Sequence, residues 1–151
     1  MKVYADTSIF GGVFDKEFSE VSKKFFDEVK SDRFTLMTSA LVEAEIEPAP
    51  EKIRSFFRDF LTFARVVEIK QPALQLRSEY IRAGIVTQKS MNDALHVAIA
   101  SVNNCNLIVS WNFKHIVHFD KIPKYNAITI LKNYNKIGIY SPMEVIDYEQ
   151  T

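Results

Sequence analysis

The chain has one cysteine, Cys105, in 151 residues. No internal disulfide can form, and a reducing cytoplasm is the compartment that fits. Glycine and proline are sparse, four and five residues, and no internal repeat, low-complexity tract or long linker interrupts the chain. Neither sign of charge is in excess: 19 Lys and Arg offset 19 Asp and Glu. That balance argues against a protein that coats nucleic acid by bulk attraction, while leaving room for a local basic patch beside a local acidic site. No apolar run approaches the roughly 20 residues of a membrane span, so no membrane association is expected. The N-terminal "MKVYADTSIF" enters a strand-like pattern at once, without the longer apolar segment and cleavage site of a signal peptide.

What is present is an ordinary globular composition, 47% hydrophobic and 25% charged. The length is that of one domain, expected to span 1–151. Twelve Phe and six Tyr read as core and subunit-interface packing before base stacking. "KVYA" at 2–5 reads as a buried strand, and "SEVSKKFFDEV" at 19–29 has helical spacing with Ser19 as its cap. "FTLMT" returns to strand character, and Ser39 can cap a helix running to about Glu47. "EPAP" at 47–50 is a turn, and Pro50 stands where a first helical residue belongs, ahead of "EKIRSFFRDFLTFA". "RVVEI" is a strand, Pro72 opens a helix ending near Gly84, and Ser90 with Asp93 has capping-box spacing at the head of "SMNDALHVAIASVNN". "NLIVS" is a further strand, with "NAITI" and "KIGIY" as two more. Ser141-Pro142-Met143-Glu144 is a helix start. Strands alternating with helices predict an α/β layered fold with a mostly parallel central sheet flanked by helices, in which ligands gather at the carboxyl ends of the strands.

Four regions place a polar residue at such a junction. Asp6 follows "KVYA", Asn112 follows "LIVS" after one residue, Glu43 and Glu45 lie in the helix after "FTLMT", and Asp93 lies in the first turn of a long helix. Each has a plainer reading as a turn, cap or solvated residue. Glu43 and Glu45, two apart on a helix, cannot share a face. Converging carboxylates repel unless a cation neutralises them or one takes a proton. A carboxylate and amide site without a compulsory Cys or His suits a hard divalent ion such as Mg²⁺ or Mn²⁺. Such an ion activates water and stabilises a phosphoryl transition state, which points to phosphodiester hydrolysis.

"YADTSIF", "TSALVEAEI", "NDALHVAIA" and "LIVSWNFKHI" come in the order and at roughly the spacing of a PIN domain, and the chain resembles that family, including its VapC-type toxin ribonucleases, from Val3 to about Phe113. The resemblance implies a PIN-like three-layer sandwich, an acidic pocket at the strand ends, and RNA cleavage with Mg²⁺ or Mn²⁺. It implies the toxin of a type II toxin–antitoxin pair, with a protein antitoxin and a homodimer as partners. Asp6 matches the acid after the first strand, with Thr7 and Ser8 as supporting hydroxyls. The register set by Ser39 and Ile46 selects Glu45 over Glu43. Asp93 matches the acid that begins the "DALHVAIA" helix. Ser110 and Asn112 match a pattern of Ser or Thr followed two residues later by an acid, and Asn112 is the departure.

An amide keeps one coordinating oxygen and loses the charge. Asn112 therefore binds the metal or its water, or shapes the loop while three carboxylates work, or marks a domain that has lost catalysis. His96 shares a helix face with Asp93 and either holds a water or phosphate or is packed. His115, His118, Cys105 and Asp120 lack zinc-ligand spacing. Lys114, His115, Arg82 and Lys89 are candidates for steering RNA phosphates, with a solvated surface as the alternative. The rival function is a catalytically silent PIN-like module that binds RNA or a protein partner. A phosphatase of the haloacid-dehalogenase type would need a second Asp where Ser8 stands.

Overall fold

The computed structural model describes residues 1–148; residues 149–151, the end of the expected C-terminal segment, lie outside them. Strand β1 (Lys2–Ala5) is the centre of the fold. Val3, Tyr4 and Ala5 are fully buried, as a strand covered on both faces requires. It pairs in parallel with β2 (Thr35–Ser39) on one side and β4 (Leu107–Val109) on the other. Beyond them lie β3 (Ala64–Val67) and β5 (Gly138–Tyr140), giving the order β3-β2-β1-β4-β5. Every pairing is parallel. The sheet is therefore wholly rather than mostly parallel, and all its carboxyl ends open on one edge.

Helices flank this sheet. α1 (Thr7–Gly12), α2 (Ser19–Lys30) and α4 (Glu51–Phe60) meet through aromatic rings. Phe10 lies 5.2 Å from Phe26 and 4.9 Å edge-on from Phe57, and Phe26 lies 4.6 Å from Phe60. Much of the Phe content is thus core packing. α6 (Met91–Val102) packs on α5 (Gln71–Arg82) and β4. It is buried without a break from Ala94 to Ser101, because "ALHVAIAS" has no polar face to give to solvent. His96 is carried into the interior by that run.

The remaining helices are α3 (Ala40–Ile46), α7 (Ile122–Leu131) and α8 (Pro142–Val145). α7 corrects one expectation: "NAITI" is helical, not a strand. Its β-branched residues favour a strand, but Tyr125, Asn126 and Thr129 are buried together on one helical face. The Asn126 side chain also bridges the backbone of Ile137, accepting from its N–H at 2.9 Å and donating to its carbonyl at 3.0 Å. Tertiary contacts override propensity here. Three cap assignments also change. Ser19 donates to the Val13 carbonyl, and Phe18 holds the cap position of α2. Pro50 is the cap residue of α4 rather than its first turn. Ser90 caps nothing with its side chain, which turns to His115 Nε2 at 3.3 Å.

Glu28 of α2 is 3% exposed. It pairs with Arg33 and accepts from the Asp147 backbone N–H, and Arg33 also donates to the Val145 carbonyl at 2.6 Å. This buried carboxylate ties the residues after α8 to α2.

Candidate active site

Asp6 ends β1 and caps α1, accepting from the Ser8 backbone N–H at 3.1 Å. The Ser8 hydroxyl donates to Asp6 Oδ1 and the Ser110 hydroxyl to Oδ2, both at 2.6 Å. These serines are held in turn by the chain leaving β4, because Trp111 N–H donates to Ser8 Oγ and Asn112 N–H to Ser110 Oγ. Gly12 makes room for this arrangement. The Trp111 indole donates to Ser22 Oγ at 2.9 Å, and a Cβ on Gly12 would stand 2.8 Å from the indole nitrogen and 2.6 Å from that oxygen.

Glu45 projects from α3 towards the same edge, while Glu43 is exposed. The Thr7 hydroxyl donates to Glu45 Oε1 at 2.6 Å, and His96 Nε2 meets the same oxygen at 2.6 Å. Oε2 has no hydrogen-bond partner among the described residues. On its other side His96 Nδ1 meets the Tyr4 hydroxyl at 2.8 Å, and that hydroxyl meets Ser39 Oγ at 2.8 Å. Ser39 caps α3 by accepting from Val42 N–H.

Asp93 stands in the first turn of α6, half-buried. Asn112 lies beside it and opposes the rise of its pKa. Asn112 Oδ1 is occupied elsewhere, accepting from the backbone N–H groups of Lys114 at 3.2 Å and His115 at 2.9 Å. The amide nitrogen is therefore the group that faces Asp93. His115 Nδ1 is buried without a partner.

The three carboxyls titrate differently. Burial pushes Asp6 up, Glu45 adds to the rise, and His96, Ser110 and Ser8 oppose it. Burial also pushes Asp93 up, helped by Glu45 and opposed by His115, His96 and Asn112. Burial acts on Glu45 in the same sense, but the His96 hydrogen bond and charge, with Thr7, outweigh it and leave its pKa below the usual carboxylate range. Clustered acids whose environments split their pKa values are a mark of functional sites.

The structure thus joins Asp6, Ser8 and Ser110 in one hydrogen-bonded group and Thr7, Glu45 and His96 in a second, and sets Asn112 beside Asp93. Asp6 and Asp93 both feel the charges of His96 and Glu45. Among the described residues, no three His, Cys, Asp or Glu side chains stand at metal-ligand spacing. Lys114 and Lys89 are exposed, and Arg82 pairs with Glu79 at 3.1 Å. Sequence reasoning missed Tyr4. The signal was available, since a Tyr in a buried strand needs a partner for its hydroxyl.

A profile of the PIN domain matches residues 3–123. The chain belongs to the PIN domain family. Among solved structures its fold is similar to that of VapBC2 from Rickettsia felis bound to a DNA fragment from its promoter (TM-score 0.58, 18% identity, 92% of this chain and 97% of that one). It is similar as well to FitAcB from Neisseria gonorrhoeae (0.60, 11%, 95% and 99%). A third is DNA-bound VapBC from Salmonella typhimurium (0.59, 15%, 94% and 98%). No curated sequence matches the chain. No helix among the described residues is long and apolar enough to cross a membrane.

Proposed function

We propose that the protein is a divalent-metal-dependent ribonuclease, acting in the cytoplasm as the toxin of a toxin–antitoxin pair and held in check by a protein antitoxin. The observation that carries the reading is the trio Asp6, Glu45 and Asp93 at the carboxyl edge of a parallel sheet, with split ionisation behaviour. The likeness in fold to VapBC complexes supports the antitoxin, and exposed Phe119, Ile130 and Leu131 give apolar surface for a homodimer or partner.

The donor set fits a hard cation. Two carboxylates are raised by burial and by a shared acidic neighbour, which is the cost a cation removes. Mg²⁺ is commonly held by one or two carboxylates with water completing its shell. Asp6 and Asp93 would hold the ion, and bound there it would supply positive charge to a phosphoryl transition state. Ser8 and Ser110 orient Asp6. Glu45 stays ionised and presents Oε2 to solvent, where it can hold a water by its proton. Asn112 favours the charged form of Asp93 in this reading, its oxygen being committed to its own loop. Lys114 and Lys89 stand free on the surface to meet phosphates.

The absence of a three-ligand group among the described residues favours one rival, a silent module that binds RNA or protein without cutting. Cleavage of a mixed RNA pool decides between them. Mn²⁺-dependent cleavage by the wild type and none by Asp6→Ala supports the nuclease; equal inertness, with no Mn²⁺ bound, removes it.

A further inference from the structure

The hydrogen bonds around Glu45 form a closed ring. Ser39 begins α3, and its hydroxyl meets Tyr4 at 2.8 Å. Tyr4 meets His96 at 2.8 Å, and His96 meets Glu45 at 2.6 Å. Glu45 lies on the same helix, α3, that Ser39 caps. The ring passes from α3 to β1, to α6 and back to α3. Tyr4, Ser39 and His96 are buried at 0%, 0% and 2% exposure, so water does not compete for these bonds.

Such a ring fixes more than a distance. A glutamate carries much rotamer freedom, and the Thr7 hydroxyl alone would hold Oε1 while leaving the carboxylate free to turn about it. The second contact, from His96, removes that turn. The imidazole is fixed in its own plane because both ring nitrogens are engaged, and which nitrogen carries a proton depends on the partner at the other. Whichever way the Tyr4 hydroxyl meets Nδ1, Nε2–H donates to Glu45, which accepts only. Ser39 can share its hydroxyl with Tyr4 while accepting from Val42 N–H, which leaves Glu45 Oε2 as the free polar atom of the ring.

We infer that Tyr4 and His96 are positioning residues for the nuclease reaction: acting through one another, they lock Glu45 by Oε1 and aim its free Oε2 at the substrate side of the pocket. The inference rests on the proposed nuclease reading for its kinetic consequence, but not for its geometry. Neither residue is expected to touch substrate.

The test uses the full-length chain, with Mn²⁺ and a labelled mixed-sequence single-stranded RNA as the probes. Variants Tyr4→Phe, His96→Leu, His96→Gln and the pair Tyr4→Phe/His96→Leu are compared, after circular dichroism and melting show which are folded. We expect kcat to fall about tenfold in Tyr4→Phe and further in His96→Leu, with KM little changed, since binding contacts remain. Gln can still donate to Glu45, so His96→Gln should recover part of the loss. Tyr4→Phe should add nothing in the His96→Leu background, because its route to Glu45 is already cut. Wild-type kcat in folded single variants, or full additivity in the pair, overturns the inference. Crystal structures of Tyr4→Phe and His96→Leu give an answer independent of activity. A Glu45 carboxylate that has turned about Oε1, or taken several orientations, supports the lock, and one left in its wild-type orientation overturns it. If the wild type proves inert while the carboxylate turns, the nuclease reading fails and the positioning geometry stands.

Discussion

The two walls of the pocket are built on different terms. The inner wall, Tyr4, Ser39, His96 and Glu45, comes from three separate elements; its first three side chains are buried, and they hold the part-exposed Glu45 from behind. The outer wall, Ser90, Asp93, Asn112 and His115, is half-exposed, and its bonds largely serve its own loop. One wall is fixed by the fold as a whole. The other is fixed by a cap on a turn. A reacting group that must keep one orientation belongs on the first, and a group that must admit ligand and solvent belongs on the second.

The largest expected difference is between Glu45→Gln and Asp93→Asn. Both should cut RNA cleavage by on the order of 100-fold or more, as loss of a group acting on the transition state does. Their effects on the metal-free fold should oppose. Glu45→Gln loses charge-assisted bonds and should cost about 1 kcal/mol, whereas Asp93→Asn removes a strained charge and should raise Tm. Melting curves in chelator check this, and a fall in both would erase the distinction between the walls.

The pH dependence of stability should separate the same residues. Glu45 has a depressed folded pKa, so its contribution is present above its unfolded value, about 4.3, and is lost as pH falls through the folded value. Asp6 and Asp93 are raised, so ionising them costs stability from about pH 3.9 upward, in full only above their folded values. Urea unfolding from pH 3 to 7 should therefore show a flatter decline with rising pH in Asp93→Asn than in the wild type, and a steeper one in Glu45→Gln.

Asn112→Asp gives a smaller and mixed effect. The new carboxylate can still accept from Lys114 and His115 N–H, but a second negative charge now stands beside Asp93. Metal-free Tm should drop by a few degrees, and Mn²⁺, followed by calorimetry, should bind more tightly because it neutralises both. Unchanged Mn²⁺ affinity would place residue 112 outside the cation's reach. The smallest effect is expected for Ser39→Ala, about 1 kcal/mol from the lost cap, read from urea midpoints.

The strand and helix alternation, and the approach of Asp6 to Ser8 and Ser110, were legible in sequence because they depend on local pattern and on chain order in a parallel sheet. The helix over "NAITI" was not, since it is held by a buried asparagine that contacts the backbone of Ile137, just ahead of β5. Asn112 was read as a ligand, a loop former or a lost acid. Its side chain points by a competition between its own loop's N–H groups and Asp93, and spacing does not encode that. Tyr4 looked like one more buried strand residue, because its partner His96 lies 92 positions away.

The pairing of β1 with β4 has a consequence for how the protein comes into being. Asp6 is made before its partner Ser110, which lies 104 positions later. Parallel pairing of such distant strands is also slow, since a long loop must close before any contact rewards it. A growing or broken chain that stops short of β4 therefore has an aspartate and no pocket. The hydrogen-bonded cluster around Asp6 cannot form until synthesis has passed the strand that completes it.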